Sequence, residues 1–273
     1  MGLVLKLRRG KTTPNPVNPP PPVKASSPAE VAALADRLAA AGRAAGFTLE
    51  TMGEADSVPL LAMARPAPDG GPRVYLSAGI HGDEPAPPRA LLQLLEAGFF
   101  GNHAGWYLCP LLNPGGMIRG TREDSAGRDL NRDYRSLQSA EVRAHVAWLR
   151  RQPAFDLTLC LHEDWETHGF YLYELNPDRR PSLAEPMVAA VGRVCPIESA
   201  AVIDGRPAAA PGIIRPDPDP ARRELWPEAI YLHAHHTRLG YTLESPSARP
   251  LDQRLAAHRA AVAAACAALP GRS

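Results

Sequence analysis

The strongest constraint on this chain is a set of short apolar runs that each end in a polar residue, interleaved with helix-forming stretches. Val74-Tyr75-Leu76 leads into Ser77-Ala78-Gly79-Ile80-His81-Gly82-Asp83-Glu84, and a helical pattern follows from Pro87 to Ala97. Trp106 to Leu112 is the next strand-like run and ends at Asn113; Asp156 to Leu161 runs into His162; Gly240 to Leu243 stops at Glu244. Strands that alternate with helices pack as an open, twisted, mixed and largely parallel sheet flanked by helices, an α/β architecture. Ligands of such sheets bind in the crevice beyond the carboxyl ends of the strands. Four separate strands delivering polar groups to that edge is the pattern that one active site produces.

The remaining segments fit the same frame. Ser27-Pro28-Ala29-Glu30 has the form of a capping box with proline in the first turn, and Val31, Leu34, Leu38 and Ala41 continue with helical spacing to Gly46. Phe47 to Glu50 and Pro59 to Ala64 read as strands with a turn at Gly53. Ser139 to Arg151, Leu183 to Val194 and Leu251 to Leu269 read as helices, and Phe170 to Leu175 and Ala229 to Leu232 as strands. Asn113-Pro114-Gly115-Gly116 is turn chemistry. Met117 to Tyr134 lacks periodicity and is rich in Arg and Asp; a loop of that length inside a compact domain is a place to look for function. Arg206 to Pro220 is a proline-rich loop.

Residues 1–26 hold Asn15-Pro16-Val17-Asn18-Pro19-Pro20-Pro21-Pro22, which forms neither helix nor central strand, and are expected to be a flexible tail ahead of one domain over 27–273. The 273 residues bury a sizeable core. A net charge of +1 makes no case for nucleic acid or an anionic membrane. No apolar run has the length of a membrane span, and the start of the chain lacks the apolar core of a secretory signal, so a cytoplasmic protein is expected. Cys109, Cys160, Cys195 and Cys266 are far apart and form no Cys-x-x-Cys pair; Cys109 and Cys160 lie in apolar runs and read as core thiols.

His81 and Glu84 sit three residues apart where strand gives way to helix, and imidazole nitrogen and carboxylate oxygen are both good Zn²⁺ ligands. Alone, the pair is a weak signal. It gains weight from five further motifs in chain order: Asn113-Pro114-Gly115-Gly116, Arg122, Asp129-Leu130-Asn131-Arg132, Leu161-His162 and Thr242-Leu243-Glu244. Over roughly residues 48–250 the chain resembles the M14 zinc metallocarboxypeptidases and their relatives, the succinylglutamate desuccinylases and aspartoacylases.

That resemblance implies a carboxypeptidase-like catalytic domain and one zinc ion held by His81, Glu84 and His162. It implies Asp129 behind His81, fixing its tautomer, Glu244 as general base, and Arg122 facing the oxyanion. Asn131 and Arg132 are the implied grip on a substrate carboxylate. Arg119, Arg128 and Arg135 share the loop and compete with Arg122 for its role. The mobile tyrosine of the digestive enzymes has no clear counterpart; Tyr231, thirteen residues before Glu244, is the candidate. His233, His235 and His236 read as a solvated turn, and Trp165, Glu166 and His168 receive no role. The implied activity is zinc-dependent cleavage of the C-terminal amide of a peptide, a cell-wall peptide among the possible substrates. The alternative is hydrolysis of an N-acyl amino acid. Either substrate carries a free carboxylate.

Overall fold

The structure, a computed structural model, describes residues 25–67 and 70–271. The proline-rich stretch expected to be a tail lies outside them as far as Lys24. In chain order the elements are α1 (Pro28–Ala44), β1 (Thr48–Ala55), β2 (Val58–Arg65), β3 (Arg73–Ala78), α2 (Ala86–Glu96), β4 (Gly105–Cys109), α3 (Pro114–Arg119), α4 (Ala140–Leu149) and β5 (Leu157–Asp164). They continue with β6 (Tyr171–Leu175), α5 (Ala184–Val191), β7 (Val202–Ile203), β8 (Arg206–Pro207), β9 (Ile213–Ile214), α6 (Glu228–His235), β10 (Gly240–Pro246) and α7 (Leu251–Ala268).

Eight strands form one mixed sheet in the order β1-β2-β4-β3-β5-β10-β6-β9. Its centre, β4-β3-β5-β10, is parallel, and antiparallel pairs flank it. The expected α/β architecture is the observed one. Among the described residues no helix is long and apolar enough to cross a membrane.

The sheet is covered on both faces, and the alternation of side chains along each strand assigns the faces. On β5, Leu157, Leu159 and Leu161 enter the larger core with α1, α2, α5 and α7. Their neighbours Thr158, Cys160 and His162 point the other way, toward α4, α6 and a large cavity. On β3, Val74, Leu76 and Ala78 join the first core, and Tyr75 and Ser77 face the second side. Cys109, Cys160 and Cys195 are buried free thiols and Cys266 is half-buried.

Local chemistry explains where the segments depart from expectation. The capping box at Ser27 is formed, with Glu30 N–H donating to Ser27 Oγ and Ser27 N–H to Glu30 Oε2. The β1–β2 hairpin turns at Asp56-Ser57, both at positive φ, and not at Gly53, which sits at a bulge. Asn113 caps α3 by accepting from Gly116 N–H, and Pro114 takes the first helical position. Turn and helix start share this chemistry, so Asn-Pro-Gly-Gly reads as either.

Ala229 to Leu232, expected to be a strand, lies inside α6. A four-residue apolar run carries no period that separates a buried strand from a buried helix. His233 and His236, expected on a solvated turn, are buried; His235 is exposed.

The turn after β3 is set by close backbone approach. A Cβ at Gly82 would stand 1.9 Å from the carbonyl carbon of Gly116 and 2.2 Å from the amide of Met117. His81 and Glu84 are therefore pressed against the first turn of α3. Gly82→Ala is expected to cost about 3 kcal/mol or more, because two stretches of backbone must separate. Chemical denaturation of the variant measures this; a change below about 1 kcal/mol would contradict the close approach.

Candidate metal centre and substrate cavity

Register assembles the site. In the parallel pair β5–β10, His162 is opposite Glu244, and in the antiparallel pair β10–β6, Glu244 is opposite Tyr171. His162, Glu244 and Tyr171 thus form a row across three strands, with neighbouring strands about 4.8 Å apart. A second row, Cys160–Thr242–Tyr173, lies beside it. Both rows line a cavity of about 620 Å³. His162 and Glu244 lie inside their strands and face off the sheet, two residues short of the ends at Asp164 and Pro246.

His81 and Glu84 reach the row from the turn after β3. His81 Nδ1 is 2.5 Å from Glu84 Oε1, and His162 Nδ1 is 3.0 Å from Glu84 Oε2. All three side chains are buried, and one ligand atom from each lies within 4.8 Å of the others. Two imidazole nitrogens and a carboxylate oxygen converging in this way are a donor set that fits a zinc ion with one position left open. The two imidazoles hold the Glu84 carboxyl far below the usual carboxylate range, against a burial penalty that pushes it up.

Asp129 stands behind His81. Its Oδ1 is 3.3 Å from His81 Nε2 and also accepts from Asn131 N–H, and its Oδ2 accepts from Arg122 Nε at 2.9 Å. Burial would raise this carboxyl, but His81 and Arg122 outweigh it and hold the group low. Arg122 also lies 3.8 Å from Glu84. Its competitors are placed elsewhere: Arg119 on Asp56, Arg128 on Asp124 and Arg135 on the carbonyl of Arg223. Glu244 is the opposite case to Asp129. Burial, with the charges of Glu84 and Asp164, drives its carboxyl well above the ordinary range, although His162 opposes the shift.

Asn131 and Arg132 line the same cavity. Asn131 Oδ1 accepts from Glu228 N–H at 2.8 Å. The guanidiniums of Arg206 and Arg223 add to the positive side of the cavity. Burial and the Arg206 and Arg132 charges lower the Arg223 guanidinium, whose buried Nε has no hydrogen-bond partner among the described residues.

Tyr231 is not among the residues of the cavity wall. It is buried on α6 against Tyr134, His235 and His236. The expectation of Tyr231 as a substrate-binding residue is thus corrected: helix α6, where a strand was expected, turns its ring into the core. The cavity's tyrosines are Tyr171, whose hydroxyl donates to Asp164, and Tyr173, which donates to Asp204. Their spacing of two along a strand was a visible signal. Glu163, on the opposite strand face from His162, accepts from Ala86 N–H and pairs with Arg254.

One group beneath the cavity had no sequence signal at all. Glu228, 1% exposed, accepts from Tyr75 Oη at 2.7 Å and Ser77 Oγ at 2.9 Å. Tyr75 Oη also meets His145 Nε2 at 2.8 Å, and His145 Nδ1 meets Tyr134 Oη at 2.7 Å. Burial pushes the His145 imidazole down to about 3, so it is neutral. All hydrogens are then placed: Tyr134 donates to His145 Nδ1, His145 Nε2–H donates to Tyr75, and Tyr75 donates to Glu228.

The chain is similar to several known proteins. A crystal structure of a protein from Shewanella amazonensis SB2B, described as a candidate metallopeptidase, superposes with a TM-score of 0.75 at 26% identity, over 88% of this chain and 93% of that one. Carboxypeptidase A from Helicoverpa armigera superposes with a TM-score of 0.61 at 17% identity, over 90% and 74% of the two chains, a likeness of fold. Carboxypeptidase D from Anas platyrhynchos is 33% identical over 154 residues, which are 41% of this chain and 11% of that protein. The fold is that of the metallopeptidase and carboxypeptidase superfamily. Within it, the chain belongs to the succinylglutamate desuccinylase/aspartoacylase catalytic domain family, whose profile matches residues 70–269.

The buried imidazole sets a pH dependence. An unfolded histidine takes up a proton near pH 6.5, whereas folded His145 does so only near 3. Stability from this group is complete above pH 6.5 and is lost as pH falls, by about 1.4 kcal/mol per unit. The stability gap between the wild type and His145→Gln is expected to narrow by about 2 kcal/mol from pH 6.5 to 5 in urea titrations. A constant gap would show that His145 takes up its proton in the folded protein.

Proposed function

We propose that the protein is a zinc-dependent amide hydrolase acting next to a free carboxylate, and that its reaction is that of a metallocarboxypeptidase. One observation carries this reading: the His81–Glu84–His162 group, Glu244 and the carboxylate-directed donors of Asn131 and Arg132 all line one cavity. In this reading His81, Glu84 and His162 hold the zinc. When bound, the ion supplies Lewis acidity, which makes water a nucleophile at neutral pH and polarises the scissile carbonyl.

Glu244 takes a proton from the attacking water and hands it to the leaving nitrogen, from its place opposite His162 in the cavity lining. Arg122 faces the oxygen that gains charge, and Asp129 holds both Arg122 and His81 in place. Asn131 and Arg132 grip the substrate carboxylate, and Arg223 and Arg206 extend the positive wall. The substrate is a peptide with a free C-terminus, a cell-wall peptide being one candidate, and a cytoplasmic site of action belongs to the same reading. A second reading, hydrolysis of an N-acyl amino acid, is favoured by the family to which residues 70–269 belong.

Hydrolysis of C-terminally free peptides is measured against N-succinyl and N-acetyl amino acids, with and without a chelator. Cleavage of the peptides, abolished by chelation and restored by zinc, is the expected result; cleavage of the acyl amino acids alone selects the second reading. Glu244→Gln is expected to lower kcat by about 10²- to 10⁴-fold with zinc content unchanged. Arg132→Ala is expected to raise KM by about 10- to 100-fold, the worth of a charge-assisted hydrogen bond. Elemental analysis that finds no zinc, together with a harmless His81→Ala, would end the hydrolase reading.

A further inference from the structure

The side-chain amide of Asn131 has two unlike ends. Its nitrogen donates to a carboxylate, and its oxygen repels one. Which end meets the cavity is settled by a contact on the far side: Glu228 N–H, in the first turn of α6, donates to Asn131 Oδ1. Among the described residues the Asn131 amide nitrogen donates to nothing, and the residue lines the cavity. The backbone of Asn131 is held separately, by Asp129 Oδ1. That same oxygen faces His81, so the two halves of the cavity share one anchor.

The start of α6 has no side-chain cap of its own. Its position depends on the Glu228 carboxylate, which is tied to β3 through Tyr75 and Ser77. Tyr75 is in turn oriented by His145 and Tyr134, so four buried side chains end in one carboxylate that accepts from two hydroxyls. Loss of either hydroxyl donor leaves this buried carboxylate under-solvated.

We infer that Glu228 is a positioning residue: by fixing the first turn of α6 on Tyr75 and Ser77, it aims its own amide at Asn131 and so presents the Asn131 nitrogen to the substrate carboxylate. This rests on the reading of Asn131 as a carboxylate donor. Glu228 itself touches neither substrate nor metal. This role runs through Asn131, which separates it from a general contribution to packing.

The test is a set of mutant cycles. Ser77→Ala, Tyr75→Phe and Glu228→Gln each weaken the anchor without emptying the core; Glu228→Ala removes it, and the first three carry the test if that variant does not fold. Each is made with Asn131 intact and in an Asn131→Ala background, and assayed with the best substrate of the peptide and acyl-amino-acid panel. Ser77→Ala and Tyr75→Phe are expected to raise KM about 3- to 10-fold with kcat within about twofold, the scale of one hydrogen bond. Glu228→Gln, which keeps an acceptor, should fall nearer the wild type than Glu228→Ala. In the Asn131→Ala background the KM effects should vanish, while the fall in Tm caused by each anchor mutation persists. KM effects of equal size in both backgrounds would assign Glu228 to packing and overturn the proposal.

Amide hydrogen exchange at residue 228 gives a readout free of activity. It should accelerate about tenfold in Asn131→Ala, the loss of about one hydrogen bond. An unchanged rate refutes the link between the two residues. If no panel compound is hydrolysed, the hydrolase reading fails, and the exchange experiment still decides the geometry on which Glu228 acts.

Discussion

A buried carboxylate between two imidazoles organises this protein. Glu84 is 4% exposed, and leaving a carboxylate there unpaired would cost several kcal/mol. His81 and His162 offset that cost, one from the same turn and one from β5. The arrangement holds only if β3 and β5 keep their parallel register and the turn stays pressed on α3 through Gly82. Asp129 completes it by holding the outer nitrogen of His81 and, through its second oxygen, Arg122. Sheet pairing, the capped start of α3 and the aperiodic segment after it therefore all serve one small cluster of charge.

The cavity built on that cluster carries both signs of charge. Its lining holds Glu84 and Glu244 together with Arg132, Arg206 and Arg223, and the charges of Arg132 and Arg206 press on Arg223. Like charges brought together at a cavity wall are costly to keep and favour an anionic partner between them. An amide next to a carboxylate asks for both features: a carbonyl to be activated and a negative charge to be held. This complementarity links the fold to the proposed chemistry more directly than any single residue does.

Much of this was legible in the chain. The apolar strands ending near His81, His162 and Glu244 announced an α/β sheet, and the order of the short motifs announced the superfamily. What escaped has physical causes. Ala229 to Leu232 is too short for its period to show, so α6 read as a strand; Tyr231 was expected at the substrate from its spacing to Glu244, which does not say which way a ring turns. Tyr171 and Tyr173 were visible as a strand with period two, but nothing in the chain stated that β6 pairs with β10 and brings them beside Glu244. Glu228 carried no signal in the sequence; its partners Tyr75 and Ser77 lie about 150 residues earlier in the chain.

By itself, the sequence determined the alternation of elements, the capping box at Ser27 and the inventory of zinc-capable and carboxylate-binding side chains. These are local matters, set by periodicity and by residue chemistry within a few positions. Only the tertiary structure decided which of those side chains meet. The register of β10 against β5 and β6 set Glu244 between His162 and Tyr171, and the packing of α6 turned Tyr231 inward and aimed the Glu228 amide at Asn131. The physical reason is that strand register and helix docking are fixed by burial and hydrogen bonding between segments far apart in the chain, and no local pattern encodes those partners.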